Sequence, residues 1–394
     1  MGNADLLVIT ELFLPTKGGT AVWFDEVYRR LGGKNIHVVT ARVPGAEEHD
    51  RDHPNSVHRV ELRRRPWVKP ESLPMYANLL TKGASILVRH PIDQIHCGRV
   101  LPEGLVGWLL ARSFRKKLLI YAHGEEITTW TQPAKHKVMT FTYRHADHVI
   151  ANSEFTRREL LKLGVAEERI TLLPPGVNVQ RFRKGLPFAD LKHSLGMAAD
   201  EPLLLSVGRL SRRKGFDMVI RALRLLAHKG LTPHYAIIGI GEDHGYLERL
   251  AREEGVSQQV HLLGHVSMED LPRWYNACEF FLMPNREIDG DNEGFGMVFM
   301  EAAACGKTSI AGLAGGTGAA VLDGETGLRV DGTHVEALSQ AIERLLTDEA
   351  LRRRLENHAW RRAVEDFSWE RVAEKTREAM DAPLGQAVSQ DKAV

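Results

Sequence analysis

The feature that most constrains the fold of this chain is the alternation of short apolar runs with longer amphipathic stretches, from residue 6 to residue 330. The apolar runs have the length of buried β-strands, and the stretches between them have helical periodicity. Parallel strands are buried on both faces and need a crossover, usually a helix, after each strand. The alternation therefore predicts an α/β protein whose parallel sheets are covered by helices.

The apolar runs form two series, and each series is long enough to build its own sheet. The first series comprises residues 6–9, 36–39, 92–96, 118–122 and 148–151, and it closes near 170–173. The second series comprises residues 202–207, 235–238, 260–263, 280–283, 308–311 and 327–330. A chain of 394 residues also exceeds the size of one ordinary domain. We therefore predict two doubly wound, Rossmann-like domains facing a central cleft, which is lined by the carboxyl ends of the strands.

The domain boundary is predicted in the basic, turn-rich segment 180–200, which contains Pro187 and Gly196. This places the first domain at residues 1–185 and the second at residues 195–367. A final helix at about 368–382 follows a capping sequence that begins at Phe367.

Composition excludes several classes of protein. A net charge of +1 supplies no global positive field, so nucleic acid is not expected as a partner. Three cysteines without C-x-x-C spacing favour reduced thiols and a cytoplasmic protein. The N-terminus has no signal-peptide pattern, and no run of eighteen apolar residues predicts a membrane span.

The most informative local motif is residues 293–301, which carry a glutamate at each end. Glu293 precedes a predicted helix and Glu301 lies inside it. Eight residues span roughly 12 Å at about 1.5 Å per residue, which is comparable to the distance from a sugar to the ribose of its nucleotide. The N–H groups between the two carboxylates suit a phosphate, and the carboxylates can accept hydroxyl hydrogens. The alternative is a capped helix with two exposed glutamates.

A basic loop follows the first strand of the second series. It runs from Gly208 to Gly215, and it contains Arg209 and Lys214. A guanidinium can bind a diphosphate through two hydrogen bonds, and an ammonium adds a point charge. A solvated surface loop is the alternative, but the position after a strand favours the anion site.

Two loops of the first domain also follow strands. Gly18, Gly19 and Thr20 open a helix, so that backbone N–H groups can approach an anion, although paired glycines are also common in plain turns. His123 lies at the cleft edge of another strand, where it can contact a sugar hydroxyl or carry a proton. A structural hydrogen bond is the alternative for this histidine.

Further segments resemble other kinds of binding site. Residues 239–245 fail the dinucleotide fingerprint, because the third glycine is one residue late. Residues 289–293 lack the spacing of a calcium loop. The basic and aromatic segments 63–69 and 112–117 can touch anionic lipid headgroups, or they are ordinary solvated faces.

Taken together, these motifs resemble the family 4 retaining glycosyltransferases of GT-B fold. The resemblance covers nearly the whole chain, and its motifs appear in order. They are the loop at 18–19, residues 123–125, 152–156 and 175–178, Gly208-Arg209 with Lys214, and residues 293–301. Residues 123–130 and 283–306 are most similar to bacterial phosphatidylinositol mannosyltransferases.

The resemblance implies a role for each candidate residue. The implied catalytic residues are His123, Arg209, Lys214 and Glu293. The implied donor-binding residues are Gly19, Thr20, Gly208, Val266, Gly294, Phe295, Gly296 and Glu301. Arg209 and Lys214 would bind the diphosphate, Glu301 the ribose and Val266 the base. Glu293 and the amides of 294–296 would hold the hexose, with His123 reaching it from the first domain. The final helix would return to the first domain.

The chain departs from the family pattern at residues 315–319, where a glycine-rich segment replaces a customary Pro-Glu. We expect metal-independent, retaining transfer of a mannose- or glucose-type hexosyl group from a nucleoside diphosphate sugar, with no cofactor. The acceptor would be a glycan, a lipid-linked molecule or a small molecule, and the protein would be cytoplasmic, at the inner face of the membrane if the lipid contact is real. A sugar-nucleotide epimerase, a nicotinamide-dependent enzyme and a non-catalytic binding module are the alternatives.

Overall fold

The structure, a computed structural model, describes residues 5–63, 67 and 71–381. The basic segment 63–69 therefore lies largely outside the described residues, as does the tail from residue 382 on. The described chain divides into two compact units. One contains the residues up to Pro175 and those from Trp369 on, and the other contains Gly176–Ser368. The division precedes the segment 180–200, because this segment packs with the second unit, where Phe182 lies edge-on to Tyr275.

The first unit is a parallel sheet covered by helices. Its strands are β1 (Leu6–Ile9), β2 (Ile36–Ala41), β3 (Ser56–Val60), β4 (Gln94–Cys97), β5 (Lys117–Ala122), β6 (His148–Ala151) and β7 (Ile170–Leu172). Its helices are α1 (Gly19–Leu31), α2 (Ala46–Arg51), α3 (Leu73–Arg89), α4 (Leu105–Phe114), α5 (Glu125–Thr129), α6 (Pro133–Arg144), α7 (Glu154–Lys162) and, from the end of the chain, α15 (Trp369–Asp381).

The strand order of the first sheet is β3-β2-β1-β4-β5-β6-β7, and every pair is parallel. The order reverses direction between β1 and β4. At such a switch point the loops that follow the two strands diverge and leave a crevice, where doubly wound sheets bind ligands.

The second unit is also a parallel sheet with helices around it. Its strands are β8 (Leu203–Val207), β9 (His234–Ile238), β10 (Val260–Gly264), β11 (Phe280–Met283), β12 (Ser309–Gly312) and β13 (Gly327–Val330). Its helices are α8 (Ala189–Ser194), α9 (Phe216–Ala227), α10 (His244–Glu253), α11 (Leu271–Ala277), α12 (Met297–Ala304), α13 (Val335–Thr347) and α14 (Glu349–Asp366). The order β10-β9-β8-β11-β12-β13 places the switch point between β8 and β11.

The predicted α/β class and the two doubly wound parallel sheets are confirmed, with two local differences. Strand β3 was not predicted, because only two of its five residues, Val57 and Val60, are apolar, and this edge strand contains no apolar run. The apolar pattern over residues 335–364 predicts one long helix, and the structure has two helices there. The Asp348 carboxylate accepts a hydrogen bond from the Leu351 N–H at 2.9 Å and so caps α14, which begins a new helix there.

The C-terminal helix α15 packs against α1 within the first unit. Arg30 of α1 donates to the Glu370 carboxylate at 3.0 Å, and the Gln94 amide at the start of β4 donates to the Met380 carbonyl at 3.1 Å. Helix α15 thus returns to the first unit, and it holds α1, whose first residues are candidate ligand contacts, in place.

Two glycines after β9 allow a close approach of backbones beside the switch point of the second sheet. A Cβ atom on Gly239 would collide with the carbonyl oxygen of Gly208, and one on Gly241 would collide with that of Leu210. Gly239 also has φ 150°. Gly239 and Gly241 therefore allow this segment to pack against the loop that carries Arg209.

Gly239→Ala is expected to lower the free energy of unfolding by roughly 2–3 kcal/mol, because the new Cβ forces two loops apart at a strained backbone position. Gly255→Ala is the matched control. Its φ is 72° and its Cβ would meet nothing within 4 Å, so only the backbone cost of about 1 kcal/mol remains. Denaturant unfolding followed by circular dichroism measures both. Equal losses for the two variants would contradict the role of close approach.

Candidate functional site

The central feature of the second unit is a charge cluster at its switch point. Lys214 ends the 3₁₀ turn Arg212–Lys214 between β8 and α9, and its ammonium donates to Oε2 of Glu293. Arg213 Nη1 donates to the same oxygen at 2.8 Å, and Arg213 Nε lies 3.0 Å from Oδ2 of Asp291. Glu293 and Asp291 belong to the loop between β11 and α12. The cluster therefore joins the two loops that diverge at the switch point.

The charge of Glu293 is fixed by these contacts. Burial of the carboxyl opposes ionisation, but Lys214 and Arg213 outweigh burial and hold the pKa of Glu293 below its ordinary value. Both cations bond to Oε2, and Oε1 makes no hydrogen bond to any described residue. Glu293 is therefore an ionised carboxylate with one oxygen free to accept a hydroxyl hydrogen.

Arg209 is placed differently from Lys214. Its guanidinium is 73% exposed and lies 3.1 Å from the Glu242 carboxylate, which follows β9. Gly208 brings the backbone next to Lys214, whose Cε would lie 3.7 Å from a Cβ at this glycine. The two predicted cations therefore lie in one loop. Lys214 is bound to Glu293, and Arg209 forms an exposed ion pair that contributes little to stability.

The start of α12 supplies backbone donors beside this cluster. Gly296, at φ 88°, precedes the helix, and the N–H groups of Phe295, Gly296 and Met297 donate to no backbone acceptor in the described ranges. The Phe295 ring is buried and stacks on Phe367, so this residue offers its backbone and not its side chain. An anion at this helix start would find free N–H groups and the positive end of the helix dipole.

The glycine-rich segment 315–319, where the chain departs from the family pattern, contacts the backbone of Glu293. The Gly316 N–H donates to the Glu293 carbonyl at 2.7 Å, and a Cβ on Gly315 would collide with the same carbonyl. The segment thus positions the backbone of Glu293. It carries no acidic side chain of its own.

Glu301 lies inside α12, as predicted. The Tyr275 hydroxyl donates to its Oε2 at 2.7 Å. Burial raises the pKa of Glu301 to about 7, although Tyr275 and Arg181 favour the ionised form. Val266 lies in the loop after β10, partly buried against the core of the second unit. Gly294 lies in the loop between Glu293 and the helix. The predicted donor-binding residues of this unit therefore lie in loops at the carboxyl edge of one sheet, or in the helix that follows.

The first unit places two candidate groups at its own switch point. Gly18, at φ 130°, precedes α1, and the N–H groups of Gly19 and Thr20 donate to no described backbone group. The His123 ring, after β5, lies edge-on to Trp23, one turn into α1, with 5.7 Å between ring centroids. The sequence predicted each loop separately, and the structure brings them together.

The hydrogen bonds of His123 define its chemistry. Its Nε2–H donates to the Gly98 carbonyl after β4 at 2.8 Å, and its backbone N–H donates to Glu126 at 2.9 Å. A ring with its proton on Nε2 has a lone pair on Nδ1. His123 can therefore accept a hydroxyl hydrogen through Nδ1, whereas the sequence predicted donation to a sugar hydroxyl or transfer of a proton.

One cluster within the described chain has ligand atoms close enough together for a metal ion, and it consists of Asp25, His49 and His53. Both histidine Nε2 atoms lie 3.0 Å from Oδ1 of Asp25. The Asn55 N–H donates to His53 Nδ1 at 3.2 Å, so Nε2 carries the proton and donates to Asp25. That nitrogen has no lone pair for a metal, and we assign the cluster to the packing of α1 against residues 46–53.

Two residues of the site were missed from the sequence. Arg213 is one of three consecutive basic residues, and only the geometry of the 3₁₀ turn shows that its side chain reaches Glu293. Tyr275 lies 26 residues before Glu301 in an unremarkable apolar helix. The run of basic residues was a signal for Arg213, and the sequence contained none for Tyr275.

Every helix in the part of the chain that the structure describes is too short or too polar to cross a bilayer. The three cysteines are buried free thiols.

Two family models match the chain, and each covers one part of it. Residues 17–181 match "Glycosyltransferase Family 4" and residues 188–362 match "Glycosyl transferases group 1". A GDP-mannose-dependent alpha-(1-6)-phosphatidylinositol monomannoside mannosyltransferase from Mycolicibacterium smegmatis is 32% identical over 349 residues, which are 87% of this chain and 89% of the relative. A GDP-mannose-dependent monoacylated alpha-(1-6)-phosphatidylinositol monomannoside mannosyltransferase from Corynebacterium glutamicum is 29% identical over 346 residues. These are 87% of this chain and 88% of the relative.

Solved structures share the fold. Anabaena HepE in complex with UDP superposes with a TM-score of 0.80 at 20% identity, over 95% of this chain and 99% of HepE. Sucrose-phosphate synthase from Thermosynechococcus elongatus superposes with a TM-score of 0.78 at 24% identity, over 95% of this chain and 98% of the synthase. At these identities the likeness concerns the fold alone.

We expect Tyr275→Phe to raise the pKa of the Glu301 carboxyl above about 7, because the hydroxyl that favours the ionised form is lost. Carboxyl-detected NMR titration measures this shift. Tyr246→Phe is the control, because Tyr246 lies in α10 and its ring contacts the Arg212 guanidinium. In the unfolded chain the Glu301 carboxyl has its ordinary pKa of 4.5 and ionises before the folded protein does. The free energy of unfolding therefore falls as the pH rises from about 4.5 to about 7. Glu301→Gln should remove that loss. An unchanged titration in Tyr275→Phe would contradict the assigned contact.

Proposed function

Because the chain belongs to the family 4 glycosyltransferases of GT-B fold, we propose that it transfers a mannose- or glucose-type hexosyl group from a nucleoside diphosphate sugar to an acceptor hydroxyl. We propose further that the transfer retains the anomeric configuration and needs neither a metal ion nor another cofactor. One observation carries the proposal: Lys214, Glu293 and the free N–H groups of α12 converge at the switch point of the second sheet.

The departing diphosphate sets the main electrostatic demand of this reaction. Negative charge grows on it as the glycosidic bond breaks, so fixed positive charge and oriented N–H donors stabilise the transition state. Lys214 and the N-terminus of α12 are preorganised for this role. Arg209, held only by an exposed pair with Glu242, is free to move onto the diphosphate and bind it through two hydrogen bonds.

The carboxylates and His123 are proposed to hold the donor. Oε1 of Glu293 is open to a hexose hydroxyl, and Glu301 is the ribose acceptor. Gly19, Thr20, Gly208 and Val266 keep their predicted roles as backbone and base contacts. His123 would accept a hexose hydroxyl hydrogen through Nδ1. Glu293 is neutralised by two cations and is poorly suited to act as a nucleophile, so retention is proposed to proceed by same-face substitution.

The identity of the donor is tested by ligand-induced stabilisation. A thermal-shift screen of GDP-mannose against the common UDP-sugars should show one preferred donor, since binding to the folded state raises the melting temperature. GDP-mannose is the first choice, because two relatives that match 87% of the chain are named as GDP-mannose-dependent mannosyltransferases. Conversion of the donor without acceptor would indicate an epimerase. Donor binding without transfer or hydrolysis, across a broad acceptor panel, would indicate a binding module.

Arg209→Ala should lower kcat by about 10²- to 10³-fold, because one of the groups that neutralise the leaving diphosphate is lost. Its melting temperature should stay near that of the wild type, since the exposed pair with Glu242 contributes little. Arg212→Ala is the control, because Arg212 lies in the same loop but pairs with Asp243 and stacks on Tyr246. NMR of the product anomeric centre should show retention. Near-normal turnover in Arg209→Ala would remove the central claim.

The acceptor is proposed to be a lipid-linked molecule or glycan at an anionic membrane surface, with the protein in the cytoplasm. The names of the phosphatidylinositol monomannoside mannosyltransferases support a lipid acceptor. Helices α4 and α6 contain no acidic residue, and three apolar side chains, Leu109, Val138 and Phe141, are exposed on them. The Trp108 ring lies 5.0 Å from that of Phe141, so the two helices share one surface. Arg112 and Arg144 are exposed on the same helices.

Vesicles that contain anionic phospholipid should bind the protein at low salt and release it as the salt rises, because the attraction is partly electrostatic. Leu109→Ser with Phe141→Ser should weaken binding, since less apolar area enters the headgroup region. Arg353→Ala, an exposed cation of α14, is the control for charge alone. Sedimentation with vesicles measures the bound fraction. No binding at low salt would count against the membrane surface.

A further inference from the structure

The charge cluster around Glu293 contains one more cation than the proposed reaction has used. Lys214 is assigned to the donor diphosphate, yet its ammonium also bonds to the Glu293 carboxylate. A diphosphate that arrives there competes with Glu293 for the same ammonium. If Lys214 were the only partner of Glu293, donor binding would weaken the contact that holds this half-buried carboxylate in place.

Arg213 removes this conflict, because it binds Glu293 through a separate contact. Its Nη1 donates to Oε2 at 2.8 Å, while its Nε lies 3.0 Å from Asp291 in the same loop. A guanidinium is a rigid fork, so the two contacts fix its orientation. Its side chain is 19% exposed, which leaves it little room to move.

The backbone of Arg213 is anchored as well. Its carbonyl accepts a hydrogen bond from the Arg286 N–H at 2.8 Å, and the Arg286 guanidinium donates to the Asp217 carboxylate of α9 at 2.8 Å. Arg213 therefore ties the 3₁₀ turn to the loop after β11 through both its main chain and its side chain. Among the described residues, the Lys214 ammonium makes one side-chain hydrogen bond, to Glu293, and it can be shared with a ligand.

The charges of the cluster lead to the same conclusion. Two cations, Arg213 and Lys214, face two carboxylates, Asp291 and Glu293, so the cluster is neutral. Without Arg213 it would carry a net negative charge, and it would repel a nucleoside diphosphate.

We propose that Arg213 is a positioning residue, which holds Glu293 independently of Lys214 and so leaves Lys214 free to engage the donor diphosphate. This inference rests on the proposed function, and it concerns a residue that does not touch the donor. Arg213 acts through Glu293, whose position and ionised state it maintains.

Arg213→Gln is the direct test, and Arg212→Gln is the matched control. Both remove one cation from the same turn, but Arg212 faces Asp243 and Tyr246. Arg213→Gln should raise KM for the donor about tenfold and change kcat less. The acidic limb of kcat/KM should move to higher pH, because Glu293 loses a cation that favours its ionised form. Arg213→Lys should restore the pH limb in large part. Kinetics equal to those of Arg212→Gln would overturn the proposal.

A double-mutant cycle separates positioning from direct contact with the donor. In a Glu293→Gln background, Arg213→Gln should have a much smaller effect than in the wild type, since the group it positions is absent. Additive effects would overturn the proposal, because they would mean that Arg213 binds the donor itself. A lowered melting temperature with unchanged kinetic constants below the transition would also overturn it, since the role would then be structural.

Calorimetry with the nucleoside diphosphate alone keeps this test apart from the proposed function. If the wild type transfers no sugar from any donor, the proposed function fails. The affinities of the two variants for GDP and UDP can still be compared, and that comparison tests the role of Arg213 by itself. Weaker binding by Arg213→Gln than by Arg212→Gln, by about tenfold, supports the role of Arg213. Equal affinities overturn it.

Discussion

The contact between Lys214 and Glu293 is the interaction on which the site of the second unit depends. The two residues belong to loops that leave neighbouring strands, β8 and β11, at the point where the strand order reverses. Such loops diverge, and opposite charges draw them together only where the backbones are close enough. Glycines provide that proximity, since a Cβ on Gly215 would collide with the Pro284 carbonyl. Arg213 then adds a second cation, so that the carboxylate stays ionised in spite of its burial.

The first unit reaches a comparable arrangement with different chemistry. Its switch point, between β1 and β4, is flanked by the start of α1 and by His123. Among the described residues there, the candidate ligand groups are the backbone N–H groups of Gly19 and Thr20 and the Nδ1 lone pair of His123. The ion pair of Lys214 and Glu293 belongs to the second unit. One topological rule thus produces two sites of different polarity. The first can cap an anion or accept a hydroxyl, and the second can neutralise a diphosphate and hold hydroxyls through carboxylates.

The fold was largely predictable, because buried parallel strands must be continuous apolar runs. All strands of the second sheet and six of the seven strands of the first were found in this way, with shifts of one or two residues at their ends. Strand β3 was not predicted, because an edge strand tolerates polar residues. The break between α13 and α14 was not predicted either, because a cap at Asp348 interrupts the helical hydrogen bonds without interrupting the apolar pattern. A local hydrogen bond of this kind does not change the periodicity of the sequence.

The sequence by itself determined which loops follow strands and contain glycines or charged residues, because all of these features are local in the chain. From those loops it predicted Glu293, Glu301, Lys214 and His123 as site residues. Only the tertiary structure decided which partners these residues take. Lys214 donates to Glu293, and Glu301 accepts a hydrogen bond from Tyr275. His123 donates its Nε2 hydrogen to the Gly98 carbonyl. These partners come from elements far apart in the chain, and spacing along the sequence contains no information about contacts that form only when strands are ordered in a sheet.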